Sequence, residues 1–163
     1  HSISIGVHCT GGNGGVMITD TGIIAHHEGL RLDDSAKGAG SNREIFLAHA
    51  TLDSSWRNLA VWDNSYIDIT GVWAASAQSD NIFISNMSAG SLVSIVGGTI
   101  FSSCPPPVVN VTKERPCNGL VVLAGSFTMA AVNVRFNQGI GVLVGPAVSD
   151  FTISGCKVTE RPS

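Results

Sequence analysis

The chain has 163 residues, a formal net charge of −3 and only 13% charged residues. This balance excludes the basic surface that a nucleic-acid-binding domain needs and the high charge of a disordered chain. No run reaches the ~18 apolar residues of a membrane helix, so we predict one domain with no nucleic-acid partner and no membrane insertion. The chain begins at His1, and we expect a fragment of a longer protein.

Short runs rich in Val, Ile, Phe and Thr recur along the chain and are typically closed by Gly, Asn or Ser. In chain order they lie at 44–49, 58–63, 65–71, 81–86, 119–125, 126–131, 139–145 and 150–155. Their residues alternate between apolar and polar, which predicts strands. Helix is nearly absent, and the one segment that fits a helix, 48–58, fits strand equally well.

The runs repeat with a period in the low to middle twenties. A repeat of about 20 to 25 residues that contains two or three strands and no helix is what one coil of a parallel β-solenoid requires. We therefore predict an all-β fold over residues 1–163, a single-stranded parallel β-helix of about five to six coils stacked at the spacing of hydrogen-bonded strands. Residues 102–118 interrupt the repeat as a Pro-rich inserted loop.

The alternation assigns side chains to faces. It places three pairs inside the solenoid, namely Ile67 with Ile69, Phe127 with Met129, and Phe151 with Ile153, and it also directs Leu120, Val122, Ile140 and Val142 inward. It leaves Trp62, Leu123 and Leu143 as an outward apolar column. A wet apolar stripe is unfavourable on a monomer, so we predict a subunit interface there, with a ligand groove as the alternative.

A family resemblance rests on the segment from Gly139 to Cys156, which reads G-I-G-V-L-V-G-P-A-V-S-D-F-T-I-S-G-C. It resembles the C-terminal coils of right-handed parallel β-helix proteins of the pectate-lyase-like group, especially bacteriophage tailspike and tail fibre proteins. The resemblance covers residues 44–158 and depends on the grammar of the repeat, not on a catalytic signature.

This resemblance implies a right-handed β-helix, usually a homotrimer, that belongs to a virion tail with other tail proteins. It implies assembly in the host cytoplasm, a final location outside the cell, and recognition and often cleavage of a bacterial surface polysaccharide. Tailspikes carry many more coils and a virion-binding head, so the chain corresponds to a segment of such a protein.

A sugar-cleaving site needs two carboxylates, about 5 Å apart for retention or about 6.5 to 9.5 Å apart for inversion. On a solenoid face, residues on adjacent coils and outward residues two apart on one strand lie at distances that match these two separations. The best constellation combines three candidate catalytic carboxylates with four candidate substrate-binding side chains: Asp53, Asp63 and Asp68, with Trp56, Arg57, Trp62 and Tyr66. The competing interpretation is turn chemistry, in which short Asp side chains satisfy local backbone groups.

A second acidic group comprises Glu28, Asp33 and Asp34, preceded by His26 and His27. Adjacent His residues on a strand point to opposite faces and do not easily ligate one metal, so we predict no metal site and no cofactor. A single His with a carboxylate would make an acid/base pair. The competing interpretation, a solvated loop leading into a Gly-rich stretch, is favoured by the sequence.

Cys104 and Cys117 flank the Pro-rich loop, and their spacing permits a disulfide without establishing one. For a tail protein assembled in a reducing cytoplasm, free thiols are expected. Three functions remain open. The first is a polysaccharide-binding tail segment. The second is a secreted polysaccharide hydrolase or lyase of the pectate-lyase-like group, with lyase chemistry ranked below hydrolysis, and the third is a purely structural virion spacer.

Overall fold

The computed structural model describes residues 4–10, 15–33, 44–62, 66–85, 91–104 and 116–159. This part of the chain is all-β and contains no helix, so none of it forms a helix that could cross a membrane. Its strands are β1 (Ile5–Thr10), β2 (Val16–Thr19), β3 (Gly22–Ile24), β4 (Glu28–Asp33), β5 (Glu44–Ala48), β6 (Thr51–Asp53), β7 (Arg57–Val61), β8 (Tyr66–Thr70), β9 (Trp73–Ala75), β10 (Ile82–Ile84), β11 (Leu92–Val96), β12 (Thr99–Phe101), β13 (Leu120–Ala130), β14 (Asn133–Arg135), β15 (Val142–Ser154) and β16 (Lys157–Thr159).

All strand pairs are parallel, and the chain passes in turn through three faces, which confirms the predicted β-solenoid. Sheet A consists of β1, β4, β7, β10 and the first parts of β13 and β15. Sheet B consists of β2, β5, β8, β11 and the later parts of β13 and β15. Sheet C consists of β3, β6, β9, β12, β14 and β16. The result is six coils, joined by five parallel pairings on each face.

Apolar side chains on alternate positions form columns along the solenoid interior. In register, these columns are Val7, Leu30, Leu59, Ile82, Leu120 and Val142 and Cys9, Leu32, Val61, Ile84, Val122 and Val144 on sheet A; Val16, Ile45, Ile67, Val93, Phe127 and Phe151 and Ile18, Leu47, Ile69, Ile95, Met129 and Ile153 on sheet B; and Ile23, Leu52, Ala74, Ile100, Val134 and Val158 on sheet C. Each fully buried member contributes about 1.5–3 kcal/mol.

Two corners of each of the first five coils, and one described corner of the sixth, are each made by one residue in the left-handed region. The residue after each sheet B strand has a positive φ, and so does the residue after each of the first five sheet C strands. The first series is Asp20, His49, Gly71, Gly97, Ala131 and Gly155, and the second is Ala25, Ser54, Ser76, Ser102 and Phe136. The first-series N–H groups donate to the carbonyl of the last sheet B residue one coil further on, as in Ala131 to Ser154 at 3.0 Å. The coils therefore bend at equivalent positions and stay in register.

The corner between sheets C and A is filled by amide side chains. Asn58 and Asn81 are buried at equivalent positions of successive coils, and Asn58 Nδ2 donates to Asn81 Oδ1 at 2.7 Å and to the Ala75 carbonyl at 2.6 Å. Asn81 Nδ2 continues the chain of bonds to Ser103 Oγ at 2.9 Å. These bonds satisfy amide groups that would otherwise be costly to bury.

The last coil differs from the predicted alignment. Leu120 pairs with Val142 and not with Ile140, and two bulges further along the pairing of β13 with β15 shift the register by one residue each before the sheet B segment. Ile140 is exposed, and Leu143 aligns with Val121, so the predicted Trp62, Leu123 and Leu143 column is wrong at Leu143. Segment 48–58, where a helix was considered, forms β6 and the start of β7.

A disulfide joins Cys104 and Cys117 and closes the inserted loop at its base. The disulfide corrects the expectation of free thiols at these two positions. Both cysteines are fully buried. Residues 105–115 of the loop lie outside the described part of the chain. The disulfide ties the start of the loop in the fourth coil to the start of the fifth.

Candidate functional site

The predicted carboxylates do not form one group. Asp53 ends β6 on sheet C, where Ser54 Oγ donates to its carboxylate at 3.0 Å, while Asp68 lies on the outer face of sheet B. The third, Asp63, lies outside the described residues. Because Asp53 and Asp68 occupy different faces of the solenoid, the two carboxylates do not share a substrate position.

The predicted binding residues divide among three places. Arg57 and Trp62 come together on sheet A, with the guanidinium carbon 5.4 Å from the indole centroid. Trp56, at the corner before β7, stacks on His27 with ring centroids 5.9 Å apart. Tyr66 belongs to sheet B, where its ring meets Phe46 at 6.3 Å. The predicted binding residues on sheet A therefore lie apart from Tyr66 on sheet B.

The sheet A group is the arginine–tryptophan cluster, which comprises Glu28, Arg31, Asp33, Arg57, Trp62, Asp80 and Phe83. Trp62 Nε1 donates to Glu28 Oε1 at 3.2 Å, and Arg31 lies 3.0 Å from the other oxygen of the same carboxylate. Arg31 also donates to Asp33 Oδ2 at 2.9 Å. Burial lowers the pKa of Arg31, but its bonds and charge contacts with Asp33 and Glu28 outweigh burial, so the net shift is upward.

Asp80 is the most buried carboxylate of the cluster, with 1% of its surface exposed. Removal from water raises its pKa, although Asn118 donates backbone and side-chain bonds to it at 3.1 and 3.0 Å and Arg57 lies 3.7 Å away. Desolvation outweighs the partners because a buried carboxylate loses its hydration along its whole surface. Asp80 is thus held in a site that favours the protonated form.

The arginine–tryptophan cluster is closed to a polymer. Glu28 has 2% of its surface exposed, and Ala60, beneath the cluster on the outer side of sheet A, is fully buried. The contacts of the cluster join three successive coils, through Glu28, Trp62 and Asp80. We therefore interpret the cluster as a group that stabilises the packing of these coils on one another. Glu28 and Asp33 are buried in strand β4, so the solvated-loop interpretation is wrong for both; Asp34 lies outside the described residues.

Sheet B offers an open site. Its outward side chains form rows that cross the coils, and one row in register reads Met17, Phe46, Asp68, Ser94, Thr128 and Thr152. A cavity of about 230 Å³ opens on the first three coils of this face. We call it the sheet B cavity; it is lined by Met17, Thr19, Phe46, Leu47, Ala48, Asp68 and Thr70.

The lining of the sheet B cavity combines an apolar wall with hydroxyl and carboxylate groups. Phe46 and Met17 provide the wall, and Met17 is 71% exposed. Thr70 Oγ1 lies 3.5 Å from Asp68 Oδ1, a weak bond that leaves most of the acceptor capacity of the carboxylate available. A sugar ring needs this combination, because its C–H face is apolar and its hydroxyl groups seek acceptors.

The sequence identified Asp68 and Tyr66 but missed Phe46 and Met17. The signal for Phe46 was present, because it alternates with the inward Ile45 and Leu47 and so must face outward. Met17 precedes the part of the chain where the repeat is recognisable, so only its pairing with Phe46 places it.

Comparisons with protein-family models, with characterised proteins and with solved structures give no match for this chain. They assign it to no family.

Proposed function

We propose that this β-solenoid binds a bacterial surface polysaccharide through the sheet B cavity. The observation that carries the proposal is the cavity itself, where Phe46, Asp68 and Thr70 from neighbouring coils meet at an open surface. Its volume of about 230 Å³ lies below the ~300–1,000 Å³ of pockets that enclose a drug-sized ligand, so it suits one sugar unit or a side branch of a polymer.

The setting proposed for this binding is a phage tailspike or tail fibre protein. The support is the likeness of the repeat in 139–156 to tailspike coils, together with the parallel solenoid. Assembly as a homotrimer with other virion tail proteins belongs to the same proposal.

The Cys104–Cys117 disulfide supports a second setting, a protein secreted into an oxidising compartment. Disulfides are rare in proteins made and kept in a reducing cytoplasm, where tail proteins assemble. The location outside the cell is common to both settings, and the binding proposal does not depend on which one holds.

Binding is favoured over cleavage at this site. Glycoside hydrolysis needs a second carboxylate opposite the first, and among the described residues Asp68 is the one carboxylate that lines the sheet B cavity. A hydrolase would need a further acid from residues outside the described ranges, for example Asp63.

A panel of purified bacterial capsules and lipopolysaccharides tests the proposal. We expect at least one to bind and Asp68→Asn to lower the affinity by about tenfold, since one bond to a charged group is worth roughly that factor. Phe46→Ala should lower the affinity by about tenfold as well, because it removes the apolar wall on which the sugar packs. Asp150→Asn is the matched control, because Asp150 is an exposed carboxylate of the same sheet outside the cavity. Equal affinity of the wild type and both cavity variants would overturn the proposal.

A further inference from the structure

The outer face of sheet C carries a row of aromatic rings that crosses three coils. We call it the aromatic ladder; it consists of Trp73, Phe101 and Phe136. The centroids of Trp73 and Phe101 are 5.6 Å apart with nearly parallel planes, and those of Phe101 and Phe136 are 5.5 Å apart with an edge-to-face arrangement. Each ring lies one coil further along the solenoid axis, and because Trp73 pairs with Thr99 while Phe101 pairs with Arg135, the ladder runs obliquely across the face.

The ladder is accessible, and its last ring occupies a strained position. Trp73 is 42% exposed. Phe136 has a φ of 58° at the corner where the preceding coils place Ala25, Ser54, Ser76 and Ser102. A left-handed conformation costs a non-Gly residue about 1–2 kcal/mol, and the same conformation recurs at the equivalent corner of the first four coils. At this corner the fifth coil carries Phe136, whose ring extends the ladder.

Positive charge is concentrated at the same end of the face. Arg135 and Lys157 are exposed on neighbouring coils of sheet C, and the Arg135 guanidinium lies 4.9 Å from the Phe136 centroid. Within the described part of the chain, neither cation has a carboxylate within ion-pair distance. In a chain with a net charge of −3, two exposed cations that have no carboxylate partner among the described residues lie on the same face as the aromatic ladder, and this arrangement suits a negatively charged ligand.

We propose that the outer face of sheet C binds an acidic polysaccharide, one whose sugars carry carboxylate, sulfate or phosphate groups. The inference rests on the proposed function and names the class of glycan. The C–H faces of successive sugars pack on the aromatic ladder. The acidic groups pair with Lys157 and with the planar fork of Arg135, whose N–H groups donate to two oxygens at once. Asn133 and Thr99, on the same outer face, supply hydrogen bonds to hydroxyl groups.

A carboxylate on the outer face of sheet C marks the end of the proposed sheet C site. Asp53 lies on the same face in the second coil, in the same row as Ala75, Phe101 and Arg135. A carboxylate repels an anionic polymer, so the chain of sugars extends from Trp73 toward Lys157 and not toward Asp53. The sheet C site therefore differs from the sheet B cavity in face, in charge and in ligand.

Calorimetric titration with polygalacturonate, a carboxylated glycan, and with neutral dextran tests this proposal. We expect polygalacturonate to bind, dextran not to bind at this site, and the affinity to fall as salt is raised, because exposed charges are screened. Arg135→Gln and Trp73→Ala should each lower the affinity for polygalacturonate by about tenfold. Arg135→Lys should retain part of the binding, since it keeps the charge and loses the fork.

Thr152→Ala on sheet B is the control for a substitution outside both sites, and Asp68→Asn separates the two proposals. If polygalacturonate binds with dependence on Arg135 and without dependence on Asp68, the sheet C site is supported even when every capsule and lipopolysaccharide fails to use the sheet B cavity. Binding that is unchanged in Arg135→Gln, or equal for dextran and polygalacturonate, overturns the sheet C site. Arg135 is exposed, so its variant remains informative if Trp73→Ala fails to fold.

Discussion

At the scale of single residues, the arginine–tryptophan cluster shows how a low-charge chain buries the charges it has. Glu28 is satisfied by Trp62 and Arg31, so its burial is compensated by bonds at 3.2 and 3.0 Å. Asp80 is compensated less completely, because its contact with Arg57 is longer, at 3.7 Å, and burial raises its pKa. An imperfectly paired buried charge is a cost to stability, and for Asp80 this cost depends on pH.

The pH dependence of stability should reveal this cost. The folded pKa of Asp80 lies above its ordinary value of 3.8, so between those two values the folded state keeps a proton that the unfolded state has released. The contribution of Asp80 to stability therefore falls as pH rises through that interval. Asp80→Asn cannot ionise, so we expect its free energy of unfolding, relative to the wild type, to rise with pH in urea titrations.

The exposed Asp150 supplies the control for this measurement. Asp150→Asn should change the free energy of unfolding little and by a similar amount at each pH. A difference between Asp80→Asn and wild type that stays flat or falls with rising pH would contradict the assignment of Asp80 as a destabilised buried carboxylate.

At the scale of elements, the solenoid is set by its left-handed corners. At the corner after sheet B, Gly occurs in three coils, and His49, Asp20 and Ala131 take the same backbone conformation in the others. Gly adopts a positive φ at little cost, whereas a residue with a Cβ is strained there. The non-Gly corners therefore reduce the stability of the coils that contain them.

Replacing Ala131 by Gly should stabilise the protein by about 0.5–1 kcal/mol, since the relief of strain exceeds the added entropy of the unfolded chain. The reciprocal change, Gly155→Ala, should cost about 1 kcal/mol. A Cβ at Gly155 would meet only the Ala131 nitrogen, at 3.9 Å, so φ alone is responsible. Thermal unfolding monitored by circular dichroism measures both.

Ala130→Gly is the neighbouring control, because Ala130 is a strand residue, and it should lose about 0.5–1 kcal/mol. If Ala131→Gly and Ala130→Gly destabilise equally, the corner is not strained.

At the scale of the whole molecule, stability comes from coils that pack on the coils before and after them. Phe127 lies in the fifth coil and is fully buried, while Phe151, the next member of the same inner column, is 56% exposed in the sixth. Among the described residues, the fifth coil packs between the fourth and the sixth, whereas the sixth packs on the fifth alone. A phenylalanine in this column therefore contributes more to the free energy of unfolding in the fifth coil than in the sixth.

We expect Phe127→Ala to lower the free energy of unfolding by about 3–5 kcal/mol, because it leaves a cavity in the interior. Phe151→Ala should cost only about 1 kcal/mol, since most of that ring is already in contact with water. Urea denaturation of both variants against the wild type gives the comparison. Equal losses would show that the last coil is covered to the same degree as the fifth.

The solenoid was predictable from the sequence, because the alternation along each run and the recurrence of the runs at a fixed period are both visible there. The inward pairs Ile67 with Ile69 and Phe127 with Met129 are confirmed for the same reason. The last coil was harder to align, since the flanking glycines of 119–125 and 139–145 match in sequence, whereas Leu120 pairs with Val142 in space.

Which polar side chains lie close together depends on the tertiary structure. Asp53 and Asp68 are 15 positions apart in sequence, yet the corner between them turns their strands onto different faces. Met17, Phe46 and Asp68 come from three coils and share a cavity because the coils stack in register. Position along a strand fixes the face that a side chain occupies, but stacking fixes its neighbours, and no local pattern encodes that second step.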